Sequence, residues 1–491
     1  MLHTNVLLGD RHPIHNWSVA NATERNALVV TTADIGRICL QQNIITFFIL
    51  TSVVPNIRWI KIEDPTTLQP LSSRLSTIAN SSFVGKTGHT FTVNTTEDGL
   101  ILSPSGAGGS TLIPIAVDTT YVIDPAGGGN FLTLQAAWDY LRATHSIDAN
   151  ATVTLRLVDG VHDVNSTISL LDYVWGGQVV ITGTTVNSYS ISSVVSSGSS
   201  GAYTYVFTLP STVGIVIGDI INVFNPSGGT NPHLTAGAWK VTAVTATSVT
   251  VTSIHVIAST PTGAITSSHV YVCKTKLVST TGALGVYSRV KDITKLQFER
   301  AGTRADIGLL LGTTSFPNIL TTMDNLTTLL SVYNYSIGVS VTTVQRMTIH
   351  NLAVGYSSTG IQISLGRAVF RALSINDSIN NGISILHMGI GDIQPAASFL
   401  SIIQGSTLDG ILVYEGGILV AAATVSSFNN LSGMWLPRLG SMYTASCITN
   451  NNTTHGINIA GASTALVTTP TYVSNGVAAT RTEVGSVLVA S

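Results

Sequence analysis

Five segments toward the C-terminus share one frame: STGIQISLG (358–366), NNGISILHMG (380–389), LDGILVYEGG (408–417), LSGMWLPRLG (431–440) and THGINIAG (454–461). In each, a glycine precedes two apolar residues separated by one position, and a second glycine follows. The leading glycines Gly360, Gly382, Gly410, Gly433 and Gly456 stand 22, 28, 23 and 23 residues apart, and Gly338 extends the series by another 22. A period of this size means stacked supersecondary units, none of which buries its apolar face alone.

The units read as strands. The apolar pairs are Ile361/Ile363, Ile383/Ile385, Ile411/Val413, Met434/Leu436 and Ile457/Ile459. Alternation with period two and β-branched side chains both favour strand. The glycines are expected at corners where a Cβ would clash. Asn376, Asn429, Asn450 and Asn475 recur ahead of them, and stacked asparagines can bond one another and the turn backbone. The expected fold is an all-β parallel β-helix, a solenoid with coils of about 23 residues stacked about 4.8 Å apart. A leucine-rich repeat has a similar period, but its Leu-x-x-Leu-x-Leu-x-x-Asn frame is missing.

Charged residues make up 9% of the 491-residue chain, against about 25% in ordinary soluble domains. A β protein this poor in charge is expected to hide surface in an oligomer. The longest apolar run, 44–57, is broken by Thr, Ser and Pro, so no membrane insertion is expected. No signal-peptide pattern opens the chain. A formal net charge of −2 gives no reason to expect nucleic acid. Cys39, Cys273 and Cys447 have neither disulfide nor metal-ligand spacing. No metal or cofactor is expected. Gly85-Lys86-Thr87 lacks the earlier P-loop glycine, its place being taken by Asn80, and Ile379 occupies a ligand position in the loosely calcium-loop-like stretch from Asp377.

Several stretches, in their order, carry a resemblance. Residues 15–64, with Asp-Ile-Gly-Arg, Phe-Phe-Ile-Leu-Thr, Pro and Trp59, resemble the small β module that opens many bacteriophage tail-fibre and tailspike proteins. Residues 65–115, ending in a Gly/Ser stretch, resemble the connector of such fibres. From Tyr121 a Gly127–Gly129 loop leads into Phe131–Ala143, where Phe131, Leu134, Trp138 and Leu141 form one helical stripe. Val153, Leu155 and Leu157 then alternate. This order resembles the entry to pectate-lyase-like right-handed parallel β-helices in tailspikes, where a helix caps the open end. Residues 186–277 read as an antiparallel β insert. In it Gly218, Asp219, His233, Gly237 and Trp239 resemble an insert of the same spikes, although such residues also simply fix turns and fill a small core.

The resemblance implies a virion anchor at 1–64, a connector at 65–115, and a β-helix domain at 116–491 assembled as a homotrimer. It implies location in the virion, on the phage tail, with tail or baseplate proteins as partners through the N-terminal module. A bacterial surface glycan is the implied target. The expected function is receptor binding on a surface polysaccharide; the alternative is a depolymerase, an endoglycosidase or lyase, acting on capsule or lipopolysaccharide. The chain stops soon after Gly485, inside what reads as another rung. The last coil is therefore expected to be covered by trimer contacts or another protein.

Strand geometry places the candidate site. If the first and third residues after each glycine face inward, then Leu386, Leu412, Tyr414, Trp435 and Pro437 face outward. Such a patch points to a partner: another subunit, or a sugar stacking on Tyr414 and Trp435. One residue further, His387, Glu415 and Arg438 hold equivalent positions on three coils, and Asp392 lies in the longer turn after His387. A glycosidase needs two carboxyls roughly 5–5.5 or 6.5–9.5 Å apart. Asp392 and Glu415 are thus candidate acid and base, with His387 and Arg438 orienting substrate. A structural ladder from Glu415 to Arg438 is the alternative. A second set, Glu299, Arg300, Arg304, Asp306 and Asp324, lies in earlier coils where register is not readable. Only 24 acidic residues in all leave few pairs, which favours binding over catalysis.

Overall fold

The computed structural model describes residues 17–61 (45 and 55 apart), 89–93, 100–104, and 112–490 without 171–177, 256–260, 266–268, 282–283, 287–289, 313–328, 343–346, 396–399 and positions 225, 228, 229 and 484. Most of the expected connector, and Asp324, lie outside these residues. The chain divides into two compact units, Met1–Thr111 and Leu112–Ser491.

In the first unit, strands Trp17–Val19, Ile38–Gln41, Thr46–Ser52 and Arg58–Lys61 form one sheet in chain order. The first pair is parallel and the others antiparallel. Leu50 and Cys39 are fully buried. Trp17 and Trp59 meet edge to face, and the Arg25 guanidinium sits 3.8 Å above Phe48.

The second unit is built from long parallel sheets whose strands recur coil by coil, compatible with a β-helix. Ile361 pairs with Ile383, Ile383 with Ile411, Ile411 with Met434 and Met434 with Ile457. These registers are the 22-, 28-, 23- and 23-residue steps of the glycine series. Ten strands from Ile168–Leu170 to Ala478–Thr482 form one wall. A second wall runs from Gly160–Val164 to Val487–Ala490. Both apolar residues of each repeat pair are buried in one continuous core.

Each late coil has three strands and three corners. Ile411–Tyr414, Ile418–Ala422 and Thr424–Ser427 are separated by Glu415 at φ 49 and Ala423 at φ 46, and closed by Phe428 at φ 55. The next coils repeat this at Leu439, Ser446 and Asn451, then at Ala462, Thr469 and Ser474. Left-handed backbone at a residue with a Cβ costs about 1–2 kcal/mol, so the coil contacts must offset it at every corner.

The leading glycines are not these corners. Gly338, Gly360, Gly382, Gly410, Gly433 and Gly456 do not have positive φ. A Cβ on Gly360 would lie 2.5 Å from the Gly382 carbonyl oxygen, and one on Gly410 would lie 2.7 Å from that of Gly433. Close approach between neighbouring coils is what requires them.

The asparagine ladder runs through Asn429, Asn452 and Asn475, so two expected members, Asn376 and Asn450, stand outside it. Asn429 Nδ2 donates to Asn452 Oδ1 at 2.9 Å, and Asn452 Nδ2 to Asn475 Oδ1 at 2.9 Å. Each ladder residue follows a left-handed corner: Phe428, Asn451 and Ser474. Asn450 stands before its corner and pairs in strand with Ser427 and Val473. Asn376 instead accepts from the Ala238 amide at 2.7 Å.

Helix Leu134–Thr144 starts at Thr133, whose hydroxyl accepts from the Ala136 amide, and buries Leu134, Ala137, Trp138 and Leu141 against the core. From Val186 to Cys273 a seven-stranded antiparallel sheet interrupts the coils. Its own core holds Tyr205, Phe207 and Trp239. The Trp239 indole donates to the Thr235 carbonyl at 2.8 Å. Burial would raise the Asp219 carboxyl, but bonds from Lys276, the Val216 amide and Lys274 outweigh it and hold it below its usual value. Gly237, at φ +125, has no room for a Cβ beside the Asn376 side chain. Cys39, Cys273 and Cys447 are buried and unpaired. Among the described residues, no helix is long and apolar enough to cross a membrane.

Candidate functional site

The wall of ten strands presents the expected outer row. Along Ile411–Tyr414 burial alternates: Ile411 and Val413 are buried, while Leu412 and Tyr414 are half-buried. Along Met434–Arg438, Met434 and Leu436 are buried, Trp435 and Pro437 half-buried, and Arg438 exposed. Leu386 ends its strand half-buried. Alternation therefore puts these side chains on the outer face, where each presents part of its surface to solvent.

The rows do not run straight. Leu412 pairs with Trp435, but Tyr414 pairs with Arg438 across a register shift. Pro437 has no N–H to offer the ladder, and a strand commonly absorbs such a residue as a bulge. Trp435 thus stays in register with Leu412, while Tyr414 is opposite Arg438 instead of Pro437.

The same slip shapes the charged corner. His387 Nδ1 lies 2.9 Å from Glu415 Oε2, whereas Arg438 Nη1 is 3.9 Å from Glu415 Oε1. The backbone equivalent of Glu415 on the next coil is Leu439, and both have left-handed φ. The three residues are brought together as a ladder, with side chains 56%, 34% and 63% exposed for His387, Glu415 and Arg438. Pairs this open contribute little to stability.

Asp392 lies elsewhere. It is within strand Ile390–Gln394 of the second wall, rather than in a turn, and pairs with Val369 and Val420. Its carboxylate accepts from Gln394 Nε2 at 2.9 Å and faces Arg367 Nη2 at 3.6 Å. It is 6% exposed. Glu415 therefore stands at a corner between the two walls and Asp392 within the second, each with its own basic partners. Among the described residues no hydrogen bond or ion pair joins them.

The second set marks the junction between insert and coils. Lys240 of the insert pairs with Glu299 at 2.6 Å, and Gln297 Nε2 donates to the same carboxylate at 3.2 Å. Arg300 faces Asp306 at 3.5 Å, and the Arg304 guanidinium lies 4.1 Å over Tyr356. Deeper in the junction, the buried Asp377 accepts from Ser253 Oγ at 2.9 Å and the Ile254 amide at 2.8 Å. Burial pushes its carboxyl up to about 7. Ser253 Oγ and Tyr205 Oη each lie 2.8 Å from His255 Nδ1. A serine, a histidine and an aspartate meet here, but all three are sealed from solvent, so they fasten the insert rather than attack a substrate.

A surface outside the expected site was missed. Val420, Tyr443, Leu466 and Val489 stand in direct register on four coils of the second wall, 37%, 49%, 39% and 50% exposed. Their signal was the period-two alternation in the second strand of each coil (ILVAA, SMYTA, TALVT). Among the described residues no group of three His, Cys, Asp or Glu is placed to hold a metal ion. The chain matches no protein-family model and no curated protein.

Proposed function

We propose that the chain is a receptor-binding spike or fibre protein of a bacteriophage tail, a homotrimeric right-handed parallel β-helix that holds a bacterial surface polysaccharide. The modular order of the sequence supports the phage assignment. The observation that carries the binding reading is the outer row around Trp435. An indole and a phenol, half-exposed on consecutive coils and flanked by Leu412, His387 and Arg438, suit a sugar's C–H face and hydroxyls. The two candidate carboxylates are each engaged by partners of their own, Glu415 by His387 and Asp392 by Gln394 and Arg367, which supports adhesion over hydrolysis. The Val420, Tyr443, Leu466 and Val489 row supports a further apolar contact, assigned here to the trimer.

Purified protein incubated with host polysaccharide tests this. Binding without new reducing ends, unsaturated sugars or loss of polymer size is expected. Trp435→Ala should weaken it about tenfold, as truncation of an aromatic anchor does. Fragmentation of the polymer would replace this reading with a depolymerase, and Asp392→Ala and Glu415→Ala would then be compared. A monodisperse monomer in solution would refute the trimer.

A further inference from the structure

The outward column that carries Trp435 continues past it. Leu412, Trp435, Asn458 and Arg481 stand in direct register on consecutive coils, about 4.8 Å apart. Ile457 and Ile459, on either side of Asn458, are buried in the core, so alternation turns the half-buried Asn458 outward beside the indole.

Asn458 is no member of the asparagine ladder, and its side chain bonds to nothing among the described residues. Its Oδ1 is closed to solvent and has no hydrogen-bond partner. Its Nδ2, also without a partner, is the end of the amide that reaches solvent. Turning the amide over would enclose two N–H donors in place of one acceptor, so the nitrogen is the end that stays open. The indole N–H of the half-buried Trp435 is likewise open and unbonded among the described residues.

The acceptors nearby are taken. Glu415 is engaged by His387 at 2.9 Å, and on the far side of Asn458 the Arg481 guanidinium, 51% exposed, engages Glu483 at 2.7 Å. Around Trp435 and Asn458 the open polar groups are therefore donors. A ring hydroxyl can accept from Nδ2, but its own proton then finds no free acceptor on the protein. A carboxylate can accept too, but the guanidinium of this column is already neutralised by Glu483. An acetamido carbonyl oxygen only accepts and carries no charge, and the methyl beside it is apolar enough to rest against an indole face.

We propose that the Trp435 row takes an acetamido sugar, an N-acetylhexosamine, with its ring stacked on the indole and its acetamido carbonyl accepting from Asn458 Nδ2. Asn458 is then the specificity-determining residue of this surface. The inference rests on the sugar-binding reading of Trp435 and adds which sugar is taken.

Ligand-observed NMR on the full chain tests it, with N-acetyl-D-glucosamine and N-acetyl-D-galactosamine each compared with its parent hexose. At least one acetamido sugar should saturate in about the millimolar range, with its parent hexose at least about tenfold weaker. Asn458→Leu should lower the acetamido sugar to the affinity of the parent hexose, a loss of about tenfold or more. Asn458→Asp, which keeps the shape and removes the donor, should do the same and decides alone if the leucine variant fails to fold. Trp435→Ala should weaken every sugar that binds. Equal binding of an acetamido sugar and its parent, or an unchanged preference in Asn458→Asp, would overturn the inference while a loss in Trp435→Ala still upheld the sugar-binding reading. Acetamido binding that survives Trp435→Ala would overturn both. No saturation by either acetamido sugar at about 50 mM would overturn the inference, and the host polysaccharide would then judge the Trp435 reading by itself.

Discussion

The coils from Leu330 to Thr482 and the antiparallel sheet from Val186 to Cys273 hold their strands by opposite means. A coil repeats one set of contacts at one step. A glycine faces the next glycine's carbonyl, an asparagine bonds the next asparagine, and left-handed corners stack on left-handed corners. Every contact is made to the neighbouring coil, so an irregular coil is tolerated. The 28-residue step places its extra length between Gln394 and Ser401, and the registers on either side are kept. The insert has no such repeat. It closes through pairs such as Val186 with Cys273 and through one aromatic core. It is fastened to the coils by particular bonds at Asn376, Asp377 and Gln404 and by apolar packing of Ile220, Phe224 and Ala238 against Leu329 and Ala353. Regularity can therefore be read as a period, whereas the insert depends on particular residues meeting.

Gly360→Ala would test the coil side most severely. Its Cβ would stand 2.5 Å from the Gly382 carbonyl oxygen and 2.8 Å from Ile375 Cγ2. A loss of about 3 kcal/mol is expected in chemical denaturation, the upper end of overpacking costs. A loss below about 1 kcal/mol would mean that neighbouring coils slide apart easily, and the contrast with the insert would weaken.

Asp377→Asn probes the fastening of the insert. The folded carboxyl is raised to about 7 by burial, with bonds from Ile254 and Ser253 opposing the rise, against an unfolded value near 3.9. The folded state therefore holds its proton more tightly. Stability from this group is fully present below about pH 4 and falls as pH rises toward 7, by up to about 1.4 kcal/mol per pH unit. The asparagine can accept from the Ile254 amide and donate to Ser253 Oγ, whose proton can turn to His255 Nδ1. A flatter stability profile between pH 4 and 7 is expected from thermal melts; an unchanged slope would show that Asp377 does not set it.

Glu415→Gln should have the smallest effect. Its partners are largely exposed, so a change within about 0.5 kcal/mol, shrinking further in salt, is expected. A larger loss would make the charged corner a structural device comparable to the asparagine ladder.

Much of the coil architecture was legible in the chain itself. The glycine spacing anticipated the strand registers from Ile337 to Ile457, and alternation sorted Ile411 and Val413 from Leu412 and Tyr414. Both follow from covalent geometry, because side chains alternate along a strand and a fixed period stacks like on like. Of the expected helix stripe, Leu134, Trp138 and Leu141 were legible for the same reason, while Phe131 lies before the helix, which starts at Leu134. Other features were settled only by the packed chain. Counting from a glycine cannot show that Pro437 slips the ladder by one residue, and so leaves Arg438 a long reach from Glu415. Nor can it show that the ladder uses Asn452 rather than Asn450, since that depends on which residue follows a left-handed corner. Asp392 stands five residues after His387 in sequence, yet the corner between them turns it onto another wall, beside Arg367. Local periodicity determines which strands stack; backbone direction at the corners, a property of the assembled coil, decides which side chains share a surface.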